Sequence, residues 1–367
     1  MLSTSTARTS IGTSRRRTLA LFGAAAAGVA TAGCGTALGG GQQRTRTVRY
    51  QGWAGTVTPA ELAEDLGYLK GVRLRWVGNT TSGPQDIQAA ATGDVDFGGA
   101  FNGAVVKMAA AKAPVKAVIS YYGVDKYRYT GFYVRRDSPV RTARDLIGKR
   151  VAMNTLGAHS EAMLDTYLKR QGLSRAEADR VERVALPPVN TEQALRKGQI
   201  EVAALGDIIR DKALEHGGIR ALFDDHQLLG SFSAGTYVMA DRFLETNPDT
   251  SRIFVTGVAK ALEWSRRTPR EEVVDRMVRI VKRRGRSEDT DPLRYWESYG
   301  VPATGGRVAA RDLSRWADWL SARGDIEPDA VHTRDFYTND FNRYRPSHSP
   351  SHSQSHAHSH RAGSTGR

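Results

Sequence analysis

Gly78–Gly103 reads GNTTSGPQDIQAAATGDVDFGGAFNG. In order, these residues predict a strand end, a hydroxyl-rich turn, a short helix, a tight turn, a strand and a second Gly/Asn turn. Ser82 or Gly83 is placed to cap a helix whose first residue is Pro84, and Gln85 stands where a capping box would close on Ser82. The helix should stop at Thr92–Gly93. Val95 and Phe97 then open a strand expected to end at Gly98–Gly99. Strand-to-helix turns leave backbone N–H groups pointing outward beside the positive end of a helix dipole, which suits an anion. The stretch holds no Lys or Arg, so an anion here would be held by hydroxyls and amides.

Upstream, Thr47–Gln51 reads as a first strand and Gly52-Trp53-Ala54-Gly55 as a turn. Thr58-Pro59-Ala60-Glu61 is a complete helix start, with Thr as N-cap, Pro at the first position and Glu at the third. That helix ends near Gly67, and Val72–Val77 alternates like a half-exposed strand. Downstream, Asn102–Lys112 predicts a helix and Val115–Ser120 a strand, closed by Tyr121-Tyr122-Gly123. Strands alternating with helices at this spacing argue for a parallel or mixed sheet covered on both faces.

A second set follows. Gly131–Val134 is a strand, then a turn at Asp137-Ser138-Pro139. Asp145–Ser160 contains a short helix ending at Gly148, a strand Arg150–Met153 and a loop of small and polar residues. A helix from about Ser160 to Gln171 meets a C-terminal cap at Gly172. Val181–Leu186 is a strand, Thr191–Lys197 a helix stopped by Gly198, and Ile200–Leu205 a strand ending in Gly206-Asp207. A helix to Glu215 and a strand Arg220–Phe223 complete the set. From Gly235 the character changes: one strand, Thr236–Met239, precedes helices over Asp249–Arg266, Pro269–Lys282 and Arg311–Leu320. In the last, Leu313, Trp316, Trp319 and Leu320 share a face, which reads as core packing.

The chain has 367 residues, 40% of them hydrophobic and 25% charged, with a net charge of +14. That length accommodates two domains with cores of their own. The positive excess is scattered along solvated helix faces without interleaved aromatics, so nucleic acid is not expected as a partner. The single cysteine, Cys34, rules out an intrachain disulfide and a Cys-based metal site. It follows Arg15-Arg16-Arg17 and the apolar run Leu19–Ala32, the layout of an export signal. Ser14–Leu19 resembles a twin-arginine motif with Thr18 where an aromatic is usual, and Thr31-Ala32-Gly33-Cys34 resembles a lipobox with Thr31 in place of Leu. The expected organisation is a signal peptide over 1–33 and a flexible spacer over 34–45 carrying lipid on Cys34. The mature protein would then sit on the outer face of the cytoplasmic membrane. Residues 345–367, rich in His and Ser, are expected to be a disordered tail. Its histidines have nothing to fix their geometry, so no metal site is expected.

The first set presents strand-end turns at Gly52–Thr58, Gly78–Pro84 and Gly98–Gly103, and the second at Asn154–Ser160 and Leu205–Asp207. In open α/β sheets a ligand lies beyond the C-terminal ends of the strands, where connectivity switches sides. Two sets joined by crossings near Thr130 and Ser233 would face one another across a cleft.

The order SGPQ…GDVDFG, then DLIGKRVA, EQALRKGQIEVA and FLETNPD resembles the periplasmic-type substrate-binding proteins of ABC importers, in the branch serving aliphatic sulfonates, taurine and nitrate. The resemblance runs from about Arg46 to Arg323. It implies an α/β, two-lobed clamp of the type II periplasmic-binding-protein kind, with mixed sheets, flanking helices and a helical C-terminal part. Lobe I would comprise 46–129 and 234–344, and lobe II 130–233. It further implies a monomer without cofactor, not an enzyme, that delivers a small solute to a permease and its ATPase. By the same resemblance, Trp53, Ala54 and Gly55 form a first ligand loop, and Thr81, Ser82 and Gly83 a second, with Gly99 beside them. Phe101 and Asn102 stand where many sulfonate binders carry a Thr-Gly-Asp turn. In lobe II, Thr155, Leu156, Gly157, Ala158, His159 and Ser160 match the helix-start loop, and Gly206-Asp207 the next one. Tyr121 and Tyr122 would wall an apolar tail, and His159 would add a donor. A related fold makes a thiamine-precursor pyrimidine with a Cys-rich iron motif, which a chain with Cys34 alone does not have. A binding protein for such a pyrimidine, or a sensor input, are the alternatives.

Overall fold

The computed structural model describes residues 44–346. The residues read as an export signal, Cys34 with nearly all of the expected spacer, and all but the first two residues of the expected His/Ser-rich tail fall outside the described residues.

The chain runs β1 (Thr47–Gly52), α1 (Pro59–Asp65), β2 (Arg73–Asn79), α2 (Gly83–Thr92), β3 (Phe97–Phe101), α3 (Asn102–Ala110) and β4 (Val115–Val124). It then enters β5 (Thr130–Arg135), β6 (Arg150–Met153), α4 (His159–Arg170), α5 (Arg175–Ala178), β7 (Glu182–Ala185), α6 (Pro188–Arg196), β8 (Val202–Gly206), α7 (Asp207–Glu215), β9 (Ile219–Asp224) and α8 (Asp225–Leu229). Finally it returns as β10 (Phe232–Ala240) and continues through α9 (Asp241–Thr246), α10 (Pro248–Arg267), α11 (Arg270–Arg283) and α12 (Arg311–Arg323).

The strands build two α/β halves with one shared plan. In the second half the order is β7-β6-β8-β5-β9, with β6 parallel to β7 and β8, and β5 antiparallel to both its neighbours. In the first half β1 pairs parallel with β2, and β10 lies antiparallel between β3 and β4. The Asp96 N–H donates to the Arg49 carbonyl at 2.9 Å, and the Arg49 guanidinium meets the Asp96 carboxylate at 2.6 Å, which sets β1 beside the start of β3. Each half therefore receives its inverted strand from the chain arriving from the other: β5 follows β4, and β10 follows β9 and α8. The links, residues 125–129 and 225–231, lie at the switch in connectivity where α/β folds place ligands. The result is the two-lobed, mixed-sheet architecture of the type II binding-protein class.

Local chemistry explains many boundaries. The Thr58 capping box forms, with the Glu61 N–H on Thr58 Oγ1 at 3.3 Å and the Thr58 N–H on Glu61 Oε2 at 2.9 Å. Gly93 takes φ 85° and ends α2, a conformation open to glycine at little cost. Along α12, Leu313, Trp316 and Leu320 are buried and Trp319 is half-buried, its indole N–H donating to Asp165 Oδ2 at 3.1 Å. The core reading of that face holds.

Three expectations do not survive. The capping box between Ser82 and Gln85 is absent, because the Ser82 N–H is taken by Thr80 Oγ1 at 3.3 Å and Gln85 is exposed. Gly98–Gly99 is not a turn but the interior of β3. A Cβ on Gly98 would lie 2.2 Å from the Asp86 carbonyl oxygen, and one on Gly99 2.7 Å from the Tyr121 ring. Close approach, not a bend, requires these glycines. Likewise Tyr121-Tyr122-Gly123 continues β4, because β10 pairs along it up to Val124 opposite Phe232. The short helices α5 and α8 carry no apolar periodicity that would announce them, and α6 starts earlier than its apolar pattern, at Pro188, where proline needs no N–H partner.

Candidate functional site

A helix leaves its first N–H groups without partners unless a side chain caps them. In α1 a capping box does so. The N-caps of α2, α4 and α7 are Ser82, Ala158 and Gly206, and none makes a side-chain cap bond. The first turns of all three line one cavity of about 390 Å³, through Gly83 and Pro84, through His159 and Ser160, and through Asp207 and Ile208. Three positive helix ends therefore converge on one space between the two halves.

Arg128, from the link between β4 and β5, brings a full positive charge to the same space. Its guanidinium donates to the Gly123 carbonyl at 2.8 Å and to the Asp207 carboxylate, and lies 5.0 Å from the centre of the Tyr122 ring. Asp207 reaches it from an unusual backbone, φ 47°, which Asp tolerates better than most residues. Burial pushes the Asp207 carboxyl above its ordinary value and Arg128 pulls the other way. Its side chain still keeps 42% of its surface accessible, so cleft water reaches it. Arg210 acts one layer behind. It is 3% exposed, donates to the Tyr127 and Tyr129 carbonyls at 2.9 and 2.8 Å, and grips Asp211 with two bonds of 2.7 and 2.8 Å. The link that presents Arg128 is thereby held in place from α7.

His159 lies at the start of α4 and stacks on Phe101 with ring centroids 5.2 Å apart. Its Nε2 sits 2.9 Å from Oδ2 of the fully buried Asp225, a close contact without hydrogen-bond alignment. Asp225 accepts from the Thr130 N–H at 3.0 Å through its other oxygen. The imidazole thus joins α4 to the inter-sheet link.

Of the residues expected from sequence, Trp53, Gly83, Phe101, Tyr121, Tyr122, Thr155, His159, Ser160 and Asp207 line the cavity. Ala54, Gly55, Thr81, Ser82, Gly99, Asn102, Leu156 and Gly157 do not. Ala54, Thr81 and Leu156 face solvent. The Gly55 and Gly157 N–H groups donate to the carboxylates of Glu288 and Glu161. The Gly99 N–H is spent on Asp86 at 2.7 Å. Asn102 is fully buried, its amide donating to the carbonyls of Ser233 and Asp312 at 3.1 and 3.0 Å. It fastens α3 to β10 and α12.

Besides Pro188, Thr191 and the first turn of α7 after Asp207, two groups of lining residues escape the sequence reading. One is the link itself, Tyr127 to Thr130 with Arg128 in its centre. The other is Leu293–Tyr299, between α11 and α12, which adds Tyr295, Trp296 and Tyr299. The aromatic cluster Tyr295-Trp296-Glu297-Ser298-Tyr299 is the one signal that points to the second. Gly78–Gly103 contributes no charged donor, but Arg128, far from it in sequence, brings a guanidinium to the same cavity. Asp86 stands behind this wall, 3% exposed, and burial pushes its carboxyl up to about 7 against the opposing Gly99 N–H. Among the described residues no helix is long and apolar enough to cross a membrane, and no group of three or more His, Cys, Asp or Glu is placed to hold a metal ion.

The sequence profile of the NMT1/THI5 like family matches residues 56–272, more than half of the chain. A curated Escherichia coli (strain K12) protein named for binding aliphatic sulfonates is 30% identical over 179 residues, 48% of this chain and 52% of that one. The chain thus spans about half the length of that relative. The periplasmic aliphatic sulphonate binding protein SsuA from Escherichia coli shares the fold at a TM-score of 0.63 and 22% identity, covering 80% of this chain and 92% of its own. The alkanesulfonate-binding protein SsuA from Xanthomonas axonopodis pv. citri, in a structure with MOPS bound, gives a TM-score of 0.63 at 20% identity, with 81% and 99% covered. With its profile match, its mixed sheets and its inverted strand in each half, this chain is a member of the NMT1/THI5 like family.

Proposed function

We propose that the protein is the exported solute-binding component of an ABC importer. It closes two lobes on a small oxyanion-bearing solute, an aliphatic sulfonate or taurine first and nitrate next, and delivers it to a membrane permease and its ATPase. The observation that carries this reading is the meeting of three uncapped helix starts and the Arg128 guanidinium on one cavity. Each helix end supplies N–H donors and partial positive charge, and Arg128 supplies a charged donor, so the cavity is built to replace the hydration shell of an anion. The names of the relatives, aliphatic sulphonate and alkanesulfonate binding proteins, support the same chemistry.

On this reading residues 46–129 with 234–344 form lobe I and 130–233 lobe II. The links beside Arg128 and before β10 act as the hinge on which closure shapes the surface the permease meets. The ligand contacts are Arg128, Ser160, Thr155 and the first turns of α2, α4 and α7, with Trp53, Phe101, Tyr121 and Tyr122 as walls. The protein works as a monomer, is a binding protein and not an enzyme, and is anchored outside the cytoplasmic membrane by lipid on Cys34.

A thermal-shift panel on the mature protein tests the reading. A ligand that binds the folded state alone stabilises it by about 2.7 kcal/mol at a hundred times its Kd. Methanesulfonate, taurine or nitrate should raise the melting temperature. A panel in which a pyrimidine raises it and no small oxyanion does would sink the assignment.

A further inference from the structure

We infer that the solute carries an aromatic ring next to its oxyanion, an arenesulfonate or similar aryl anion in preference to a short alkyl one. This rests on the oxyanion part of the reading above, keeps the anion and departs from that reading in the organic part, with an aryl group in place of the alkyl one.

Size is the first argument. Ligand pockets of about 300–1,000 Å³ bury drug-sized molecules, and this one measures about 390 Å³. A two-carbon sulfonate would leave most of that space to water against apolar walls.

Wall chemistry is the second. Nine of the 38 residues lining the cavity are aromatic, against 8% of the chain. They come from separate parts of the sequence, so their meeting is a property of the site and not of one aromatic-rich segment. Two pairs form corners. Tyr121 and Tyr122 meet edge to face at 5.0 Å and 72°, and Trp296 and Tyr299 at 5.5 Å and 73°. Stacked and edge-to-face contacts are the two arrangements aromatic pairs prefer, and a ring entering beside either corner extends it in one of them. The walls are also fixed in advance. Tyr121 is backed by Tyr237 in a 4.2 Å stack, and the Tyr299 hydroxyl donates to the Val57 carbonyl at 2.9 Å.

The third argument is adjacency. Arg128 lies 5.0 Å from the centre of the Tyr122 ring, so the cationic anchor and the aromatic corner are neighbours. A ligand with its oxyanion bonded directly to a ring reaches both at once. A long flexible chain would have to fold back to do so.

Titration calorimetry on the mature protein with benzenesulfonate, cyclohexanesulfonate, methanesulfonate and benzyl alcohol tests this. Benzenesulfonate should bind at least tenfold more tightly than methanesulfonate and several-fold more tightly than the saturated ring, with benzyl alcohol far weaker than either. In Trp296→Leu the ratio of benzenesulfonate to methanesulfonate affinity should move toward one, and that ratio is insensitive to a general loss of folded protein. If the variant does not fold, the ratios in the unaltered protein decide alone. Methanesulfonate or cyclohexanesulfonate binding as tightly as benzenesulfonate overturns the aromatic inference and leaves the oxyanion reading standing. Benzyl alcohol binding equally well overturns it too, since the anion would then contribute nothing. Binding of none of the three sulfonates removes the oxyanion reading itself and this inference with it.

Discussion

Arg128, in the link that leaves β4, and Asp207, the first residue of α7, form an ion pair inside the cavity. The guanidinium is also tied to the Gly123 carbonyl. Its charge is therefore half-committed before any solute arrives, and an incoming anion competes with Asp207 for it. Asp207→Asn should strengthen the binding of a simple sulfonate several-fold, an effect of about 1 kcal/mol for a partly exposed pair. Asparagine tolerates the positive φ at this position. Calorimetry measures the change, and a loss of affinity would instead identify Asp207 as the partner of a positive group on the ligand.

The same competition predicts a pH dependence. Burial raises the Asp207 carboxyl above its ordinary value despite Arg128, so acidification neutralises it earlier than a free aspartate. A sulfonate stays ionised throughout. Affinity should tighten as pH falls through the raised Asp207 pKa, and the trend should vanish in Asp207→Asn.

Arg128→Gln removes the charged donor. Hydrogen bonds to charged groups contribute about 1.5–3 kcal/mol, so anion affinity should fall roughly ten- to a hundredfold. Equal affinity in the variant, measured at low salt, would mean that the helix ends hold the anion alone.

Asp86 predicts a stability profile. Its folded pKa of about 7 lies above the ordinary aspartate value of 3.8, so the folded chain holds the proton more firmly than the unfolded one. Its contribution is greatest below about pH 4 and is lost as pH rises to about 7, by a few kcal/mol at about 1.36 kcal/mol per pH unit. Chemical denaturation of the protein and of Asp86→Asn at pH 5 and pH 8 checks this. The variant should lose less stability between the two.

Gly123→Ala should destabilise by about 1–3 kcal/mol or more, the cost of forcing atoms into a filled site. The new Cβ would lie 2.2 Å from the Gly300 carbonyl oxygen and 2.6 Å from that of Phe232. Because the Gly123 N–H bonds the Tyr299 carbonyl at 2.9 Å, the substitution should also disturb the Tyr299 wall and weaken ligand binding. Thermal unfolding and calorimetry report the two effects separately.

Signals carried by neighbouring residues are legible in the amino-acid order. The Thr58-Pro59-Ala60-Glu61 start, the glycine stops at Gly93, Gly172 and Gly198, the strand Arg150–Met153 and the amphipathic α10 to α12 follow from caps, φ and periodicity. Each needs only a few adjacent side chains. Gly98, Gly99 and Gly123 mislead because a glycine that bends the chain and one that admits a neighbour look alike in sequence. Telling them apart requires Asp86, Tyr121 and Gly300 in place.

An alternating α/β chain with anion-friendly strand-end turns in both halves follows from the amino-acid order, because those properties are local. Tertiary packing alone settles that β10 and β5 insert into the sheets of opposite halves, and that Arg128 and Trp296 stand together with Tyr122 around one cavity. Arg128 sits in a short link with no periodicity, and Trp296 lies in a distant segment, between α11 and α12. No local rule connects them. Their meeting depends on strand pairing between distant segments, and that pairing is settled by the burial of the sheets as a whole.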